Sequence, residues 1–342
     1  MFLSRIQEQL CAVGRLDERL GGLEVFGEKR VGVLAVHMHG DAVGPCVPEL
    51  RDWERRHGSL LRGAKAAAGS AGEEKGHKPI FATVWGGLSR LADRLVEAIG
   101  DTRVKLGRPA QAIRAEPDGF SVVAGGSGGQ SVRADAVILA TPAYRSAGLV
   151  GDLNSKVAGE LAGISYVSTA VILLSYPPGT ASRLPEGTGF VVPEGEATIT
   201  ACTWVSRKWP REDFGDRAVL RCFAGRAGAE EALDLTDDEL VSVVAREVEE
   251  ATPLGANPTT SRVVRWDRSM PQYEVGHLDR VTRIETALGE TPGLFLAGSA
   301  YRGVGIPDCI KQGEEAADQV VAFLRSNRVS GGEQEEAISW KS

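Results

Sequence analysis

The sequence predicts a mixed α/β fold with two domains, and three patterns support this. Residues 80–99 have the order strand, glycine turn, helix, and the continuous apolar run at 136–139 is typical of a fully buried strand. Strand-like segments follow one another between 168 and 223 before a single helix, which favours a separate domain with an antiparallel sheet. The length of 342 residues is sufficient for two such domains.

The first predicted domain comprises residues 80–146 and 290–327. Its helix begins near Leu88 and ends at Gly100, with Leu91 and Leu95 on one face. Short strands are expected at 80–84, 104–106, 110–115, 119–124, 131–132 and 136–139, with a hairpin at 125–129, and a strand at 293–297 precedes a helix at 310–324. Residues 1–79 are expected to form a divergent N-terminal region with a helix at 49–62, and residues 328–342 a disordered tail.

The second predicted domain comprises residues 147–289 and consists of longer strands. These are expected at 168–175, 189–192, 197–203, 218–223 and 262–265, with part of a helix at 284–288. Thr236 and Glu239 have the spacing of a capping box, in which each side chain bonds the other residue's amide, at the start of a helix over 236–250.

Composition excludes several classes of protein. The net charge of −7 disfavours a nucleic-acid partner, because phosphate binding needs a basic excess or stripe. No apolar run approaches the roughly 18 residues of a membrane span. The five cysteines are scattered and have no C-x-x-C pair, so reduced thiols in a cytoplasmic protein are expected. No metal site is predicted. His37 and His39 would point to the same face of a strand, as in some metal sites, but no carboxylate or cysteine cluster accompanies them.

Glycines concentrate near the end of the chain, where a strand at 293–297 leads through Gly298, Gly303 and Gly305 into a helix. Glycines leave room for a ligand to approach the backbone, and a helix N-terminus favours an anion or a flat polar ring. Asp308 is a candidate helix cap. An ordinary strand-loop-helix connection is the alternative, but a ligand site explains the glycines better.

This segment resembles the C-terminal flavin motif of the protoporphyrinogen and coproporphyrinogen oxidases, which belong to the amine-oxidase-like FAD enzymes. The similarity is expected over about residues 49–327. It rests on the blocks Glu54-Arg-Arg-His-Gly-Ser-Leu-Leu-Arg-Gly63, Trp85-Gly-Gly-Leu88, Arg103-Val-Lys-Leu-Gly-Arg-Pro109, Val137-Ile-Leu-Ala-Thr-Pro142, Gly187-Thr-Gly-Phe-Val-Val-Pro193, Thr200-Ala-Cys-Thr-Trp204, Arg265-Trp-Asp-Arg-Ser-Met-Pro-Gln-Tyr273 and Gly293-Leu-Phe-Leu-Ala-Gly298 with the loop that follows. The resemblance implies an incomplete Rossmann-like FAD-binding domain and an antiparallel-sheet substrate domain.

The resemblance also implies site residues. Val304, Gly305 and Ile306 would lie along the flavin ring, with the helix at Asp308 directing its positive end at the ring's pyrimidine edge. Other cofactor positions are Trp266, near the flavin, and Ala110, whose backbone would reach the adenine; Gly189 and Val191 match substrate-pocket positions. Trp266 as plain core is the alternative interpretation. Trp204 and Trp209 are expected to pack in the sheet.

The implied reaction is oxidation of coproporphyrinogen III, or of protoporphyrinogen IX, to the porphyrin with O2 as acceptor, in haem biosynthesis. The flavin would carry out the chemistry, so no catalytic side chain is predicted. His277 is expected to be a structural hydrogen bonder rather than a base. Carboxylate groups of the substrate would need cations, for which Arg207, Lys208 and Arg302 are candidates. The implied partners are the porphyrinogen and O2, with transient contacts to other enzymes of haem biosynthesis.

One feature of the family is absent from the sequence, because no G-x-G-x-x-G follows a strand and opens a helix. The glycines at 125–129 lie between two strands and cannot replace it. A truncated or frame-shifted oxidase is therefore expected. The alternatives are a non-catalytic remnant that binds porphyrin or flavin, or another amine-oxidase-like flavin oxidoreductase.

Overall fold

The structure is a computed structural model, which describes residues 55–58, 62, 83–84, 87–100, 103–125 and 130–330. Its described helices are α1 (Ser89–Ile99), α2 (Ala143–Val150), α3 (Ser155–Ala162), α4 (Val205–Lys208), α5 (Asp237–Ala251), α6 (His277–Leu288) and α7 (Ile306–Ser330). Its described strands are β1 (Ala110–Glu116), β2 (Gly119–Ala124), β3 (Gln130–Ala134), β4 (Val137–Leu139), β5 (Tyr166–Ser175), β6 (Gly189–Val191), β7 (Ile199–Trp204), β8 (Val219–Ala224), β9 (Thr260–Pro271) and β10 (Leu294–Leu296).

These elements form two compact units. The sheet unit contains Tyr166–Gln272, and the loop unit contains the described parts of Lys75–Ser165 and Tyr273–Ser342. The boundaries therefore differ from the predicted 147–289 and 80–146 with 290–327, because α2, α3 and α6 group with the loop unit. Asn154 shows why: its side-chain amide donates to Ala287 O (3.0 Å) and Thr291 Oγ1 (2.9 Å), which ties α3 to the end of α6.

The sheet unit contains a five-stranded antiparallel sheet in the order β6-β7-β8-β5-β9, which confirms the predicted second sheet. Helix α5 covers one face of it, because Leu240, Val244 and Val248 pack with the buried residues of the central strands. The predicted capping box is present: Thr236 Oγ1 accepts from the Glu239 amide, and the Glu239 carboxylate accepts from the Thr236 amide (2.9 Å).

We call the face of the five-stranded sheet that α5 covers the inner face, and the opposite face the outer face.

The loop unit contains two smaller sheets. Strands β1, β2 and β3 form an antiparallel meander, and β2 with β3 confirms the predicted hairpin, with Ala124 opposite Gln130. Strand β4 pairs in parallel with β10. Helix α1 is amphipathic as expected and ends at Gly100, whose φ is +91°. Helix α7 continues to Ser330, beyond residue 327, and residues 331–342 lie outside the described part.

Some predicted elements differ from the structure. The expected strand at 104–106 is wrong, because Gly107 turns the backbone with φ +67° and Leu106 is exposed. The strand at 136–139 is not fully buried, since Ile138 is 39% exposed and, among the described strands, β4 pairs only with β10. Strand β9 is longer than the predicted 262–265: it continues across an irregularity at Arg268, where φ is +41°. The expected helix at 49–62 and strand at 80–84 fall mostly outside the described residues.

Candidate functional site

The glycine loop of the loop unit connects the end of β10 to α7 and comprises residues 298–305. Gly298 and Gly303 have φ values of +130° and +134°, which side chains rarely adopt. A Cβ at Gly303 would lie 2.6 Å from the Asp308 carboxyl group, whereas a Cβ at Gly298 would meet no atom within 4 Å. The loop conformation therefore requires glycine at Gly303 for close packing and leaves open space beside Gly298.

Asp308 caps helix α7. Its Oδ2 accepts a hydrogen bond from the Gly305 amide at 3.2 Å, so Asp308 caps the helix from within the first turn and not from the predicted position before it. The helix itself begins at Ile306, four residues before the expected start at 310 and two before Asp308. One amide at the positive end of the helix is thus already bonded to a carboxylate of the chain itself.

Two aromatic side chains support the glycine loop: Tyr273 lies just before α6, and His277 is the first residue of α6. Tyr273 Oη donates to the Ser299 carbonyl (2.8 Å) and accepts from the Gly303 amide (2.9 Å). His277 stacks on the Tyr273 ring at 3.8 Å between centroids, and its Nε2 lies 2.9 Å from the Tyr301 carbonyl. Together these side chains bond backbone groups at three alternate residues of the loop, which holds the loop in one shape.

His277 is structural, as predicted. It is buried at the start of α6, and burial lowers the pKa of His277 below its ordinary value. Because a carbonyl can only accept, the His277 Nε2 donates to the Tyr301 carbonyl. It is therefore engaged by the backbone and is not positioned as a general base.

The predicted cofactor residues of the loop unit lie on its surface. Val304 is 59% exposed and Ile306 is 47% exposed, on either side of Gly305. Two neighbouring branched apolar side chains in solvent are available for a ligand with an apolar face. Ala110 lies apart from them in sequence, exposed at the start of β1, where Gly125 N donates to Pro109 O (2.7 Å).

Strand register brings the predicted residues of the sheet unit onto the outer face. Gly189 is opposite Thr203 and Val191 is opposite Ala201, while Cys202 between them is buried on the inner face. At the other edge of the sheet, Trp266 pairs with Thr169, whose chain neighbour Ala170 faces the inner core. Gly189, Val191 and Trp266 therefore share one face of the five-stranded sheet.

Packing changes the interpretation of Gly189 and Trp266. A Cβ on Gly189 would lie 2.0 Å from the Cys202 carbonyl, so pairing of β6 with β7 is itself a reason for glycine there. Trp266 is 53% exposed, so its interpretation as plain core is wrong. Trp204, in contrast, is fully buried on the inner face, as expected for sheet packing.

The three predicted cations already have partners. Arg302 forms a two-point ion pair with Glu285 (3.0 and 2.7 Å). Arg207 donates to the carbonyls of Leu184 (3.0 Å) and Pro185. Lys208 lies 4.8 Å from the centroid of the Trp209 ring. These interactions were not visible in the sequence because they join distant segments or depend on side-chain orientation.

The sequence interpretation missed Arg221, which lies on the outer face between Thr203 and Leu173 of the neighbouring strands. The signal was available in strand β8, where Leu220 and Cys222 alternate with Arg221 and Phe223. Alternation directs the first pair to the core and the second pair to the outer face.

A separate cleft in the loop unit is lined by α6, β10 and α7, including Ile284, Leu296, Gln312 and Phe323. None of the predicted cofactor residues lines it. Within the described part of the chain, no helix has the length and hydropathy needed to cross a membrane. The described cysteines, which are Cys202, Cys222 and Cys309, are free thiols, while His37 and His39 lie outside the described residues.

Comparison with known proteins identifies the family. Residues 34–321 match the family described as flavin containing amine oxidoreductase. The match begins at residue 34, so the expected start of similarity near residue 49 is wrong.

Individual relatives point in the same direction. The chain is 32% identical over 284 residues to a coproporphyrinogen III oxidase of Bacillus subtilis (strain 168), covering 82% of this chain and 60% of that protein. It is 29% identical to a coproporphyrinogen III oxidase of Propionibacterium freudenreichii, covering 93% of this chain and 66% of that protein.

Solved structures share the fold. A candidate protoporphyrinogen oxidase from Exiguobacterium sp. 255-15 has a TM-score of 0.67 at 30% identity, over 83% of this chain and 59% of that chain. Cyclohexylamine oxidase from Brevibacterium oxydans IH-35A has a TM-score of 0.56 at 16% identity, over 70% of this chain and 53% of that chain, which shows the fold alone. The chain spans about three-fifths of the length of the Bacillus subtilis oxidase (60%) and of the Exiguobacterium protein (59%). Because the family match covers most of the sequence, the chain belongs to the flavin containing amine oxidoreductases.

Proposed function

We propose that this chain acts in the FAD-dependent oxidation of a porphyrinogen to a porphyrin in haem biosynthesis, with coproporphyrinogen III as substrate and O2 as acceptor. The observation that carries the proposal is the 32% identity over 284 residues to a coproporphyrinogen III oxidase. Protoporphyrinogen IX is the alternative substrate, supported by 27% identity over 251 residues to a chloroplastic protoporphyrinogen oxidase of Oryza sativa. The cytoplasm is the proposed location, in keeping with the free thiols of the described cysteines.

The chemistry of the exposed residues fits a flavin. Val304 and Ile306 offer apolar contact to a flat ring, and Gly298 leaves space where a Cβ would otherwise stand. The start of α7 offers a positive dipole end, reduced by the Asp308 cap. Trp266 and the backbone of Ala110 are the further proposed cofactor contacts. A bound FAD would supply the electron acceptor for the oxidation.

The chain's own residues would bind and orient the substrate. Val191 offers an aliphatic side chain to the face of a tetrapyrrole, and Gly189 adds no side chain beside it. Tyr273 and His277 would keep the glycine loop in shape while the substrate turns over. We propose no side-chain acid or base, in keeping with His277 being buried and bonded to the Tyr301 carbonyl.

The test uses the purified full chain with added FAD. Growth of porphyrin fluorescence from coproporphyrinogen III, faster than the spontaneous rate and dependent on FAD, is the expected result; protoporphyrinogen IX is assayed in parallel. Flavin absorbance that co-purifies or remains after gel filtration reports binding separately. A chain that binds porphyrin but is colourless and inactive would instead be a non-catalytic remnant.

A matched pair of valines tests the flavin surface. Val304→Asp places a charge on the proposed ring contact, whereas Val321→Asp places the same charge at another exposed valine of the loop unit, on α7. We expect Val304→Asp to weaken FAD binding at least about tenfold, since burying an unpaired charge against the ring is costly. Equal FAD affinity in the two variants would contradict the proposed contact.

A further inference from the structure

The outer face of the sheet unit combines an apolar surface with two cations. Its strand positions are Gly189, Val191, Ala201, Thr203, Val219, Arg221, Phe223, Thr169, Val171, Leu173, Ser175, Thr260, Arg262, Val264 and Trp266. Among these described positions none is aspartate or glutamate. One row of the face, from Val191 to Val264, is apolar, and the adjacent row contains both arginines.

Arg221 occupies the middle of that second row. Its guanidinium carbon lies 5.6 Å from the centroid of the Trp209 ring and 5.2 Å from that of Phe223. Rings at these distances attract a cation and hold its plane in place. Partial burial lowers the pKa of Arg221, but an arginine stays protonated at any physiological pH.

The guanidinium of Arg221 has no hydrogen-bond acceptor among the described residues. Its Nε is buried without a hydrogen-bond partner, and among the described residues no carboxylate or carbonyl accepts from the guanidinium. Two other arginines of the sheet unit are bonded to backbone carbonyls: Arg226 to that of Val192 (3.0 Å), and Arg183 to that of Leu254 (2.7 Å). A buried donor without a partner costs free energy, so such groups call for an explanation.

A ligand carboxylate supplies that explanation, and the inference rests on the proposed function. We propose that Arg221 binds a carboxylate group of the porphyrinogen while the apolar row of the outer face contacts its macrocycle. A guanidinium matches a carboxylate at two points, and among the described residues no acceptor engages the N–H groups of Arg221. Arg262, across Leu173 on the same face, is the second cation near a carboxylated substrate.

The positive charge of Arg221 disfavours amine substrates. Aliphatic amines are cations at neutral pH, and a half-buried arginine without a counter-ion repels them. The outer face therefore favours an anionic molecule with an apolar ring system, and a tetracarboxylate porphyrinogen has both features.

The experiment compares coproporphyrin III, which has four carboxylates, with its tetramethyl ester, which has none. Fluorescence titration of the full chain gives the dissociation constants of both. Arg221→Gln is expected to weaken binding of the acid about 10- to 100-fold, the range of a charge-assisted hydrogen bond, and to leave the ester unchanged. Arg221→Lys keeps the charge but loses the two-point geometry, so an intermediate loss is expected. Arg265→Gln is the control, since it removes the same charge from the inner-face side of the sheet.

The possible results separate the role of Arg221 from the proposed function. Equal weakening of acid and ester by Arg221→Gln, or no weakening of either, overturns the role of Arg221 while the proposed function stands. A wild-type chain that binds neither porphyrin overturns the proposed function and the inference with it. If Arg221→Gln does not fold, Arg221→Lys and the wild-type preference for acid over ester decide, and an Arg221→Lys variant with the wild-type preference overturns the proposal.

Discussion

The two faces of the five-stranded sheet are formed by the same strands and differ in almost every physical property. On the inner face, Ile172, Leu174 and Leu220 are fully buried against α5. On the outer face, the residues between them are half-buried, and Arg221 lies without a hydrogen-bond partner among apolar neighbours. The inner face is organised for stability, whereas the outer face tolerates an unfavourable group. Such an arrangement is expected where binding, rather than folding, selects the residue.

Neighbouring leucines of β5 test this difference most strongly. Leu174→Ala removes a fully buried side chain of the inner face and is expected to lower the free energy of unfolding by about 2–5 kcal/mol. Leu173→Ala acts on the half-buried outer face and is expected to cost about 1 kcal/mol or less. Urea denaturation of both variants measures the two costs. Similar losses would mean that the outer face is packed as tightly as the inner one.

Two arginines test the same difference through charge. Arg265 donates to Asp237 (2.7 Å) and to the carbonyls of Leu233 (2.8 Å) and Leu235 (2.7 Å). Arg265→Met should therefore destabilise the chain by about 1–2 kcal/mol, a range that allows for partial solvent exposure. Arg221→Met should leave the free energy of unfolding unchanged or raise it, because it replaces a guanidinium that has no hydrogen-bond acceptor with an apolar chain of similar length. A clear loss of stability in Arg221→Met would indicate a structural role and weaken the case for a ligand.

The smallest expected effect is a loss of stability at alkaline pH, caused by the buried Tyr176 of the inner face. Burial raises the pKa of Tyr176 well above its ordinary value of 10.0, while the unfolded chain titrates normally. Because the folded pKa is the higher one, the contribution to stability is complete below pH 10 and is lost as pH rises toward the folded value.

For this tyrosine the loss is about 0.8 kcal/mol between pH 8 and pH 10.5, from linkage with an unfolded pKa of 10. Tyr176→Phe should remove that part of the pH dependence and leave stability at pH 7 nearly unchanged, since the hydroxyl has no hydrogen-bond partner in the described structure. Urea denaturation at both pH values measures it. An unchanged alkaline slope in Tyr176→Phe would contradict the assignment; Cys222, whose pKa is raised by its hydrogen bond to Cys202 and by burial, would continue to contribute in either case.

Much of the sheet unit followed from local sequence. The strands of the sheet have alternating or continuous apolar patterns, and the capping box at Thr236 marked the start of α5 within one residue. The short strand at 104–106 failed because a three-residue apolar pattern is weak beside Gly107 and Pro109, which turn the chain. The resemblance led to the correct family, and its site residues remain predictions.

The sequence by itself determined the sequence family, the helices and strands with strong periodicity, and the glycines that the loop before α7 requires. Only the tertiary structure decided which side chains are available to a ligand. Arg302 is a candidate cation in the sequence and is paired with Glu285 in the structure, whereas Arg221, which no sequence motif singled out, has a buried Nε without a hydrogen-bond partner. The physical reason is that the strand order β6-β7-β8-β5-β9 joins segments separated by tens of residues, and such long-range register sets which face and which neighbours each side chain has.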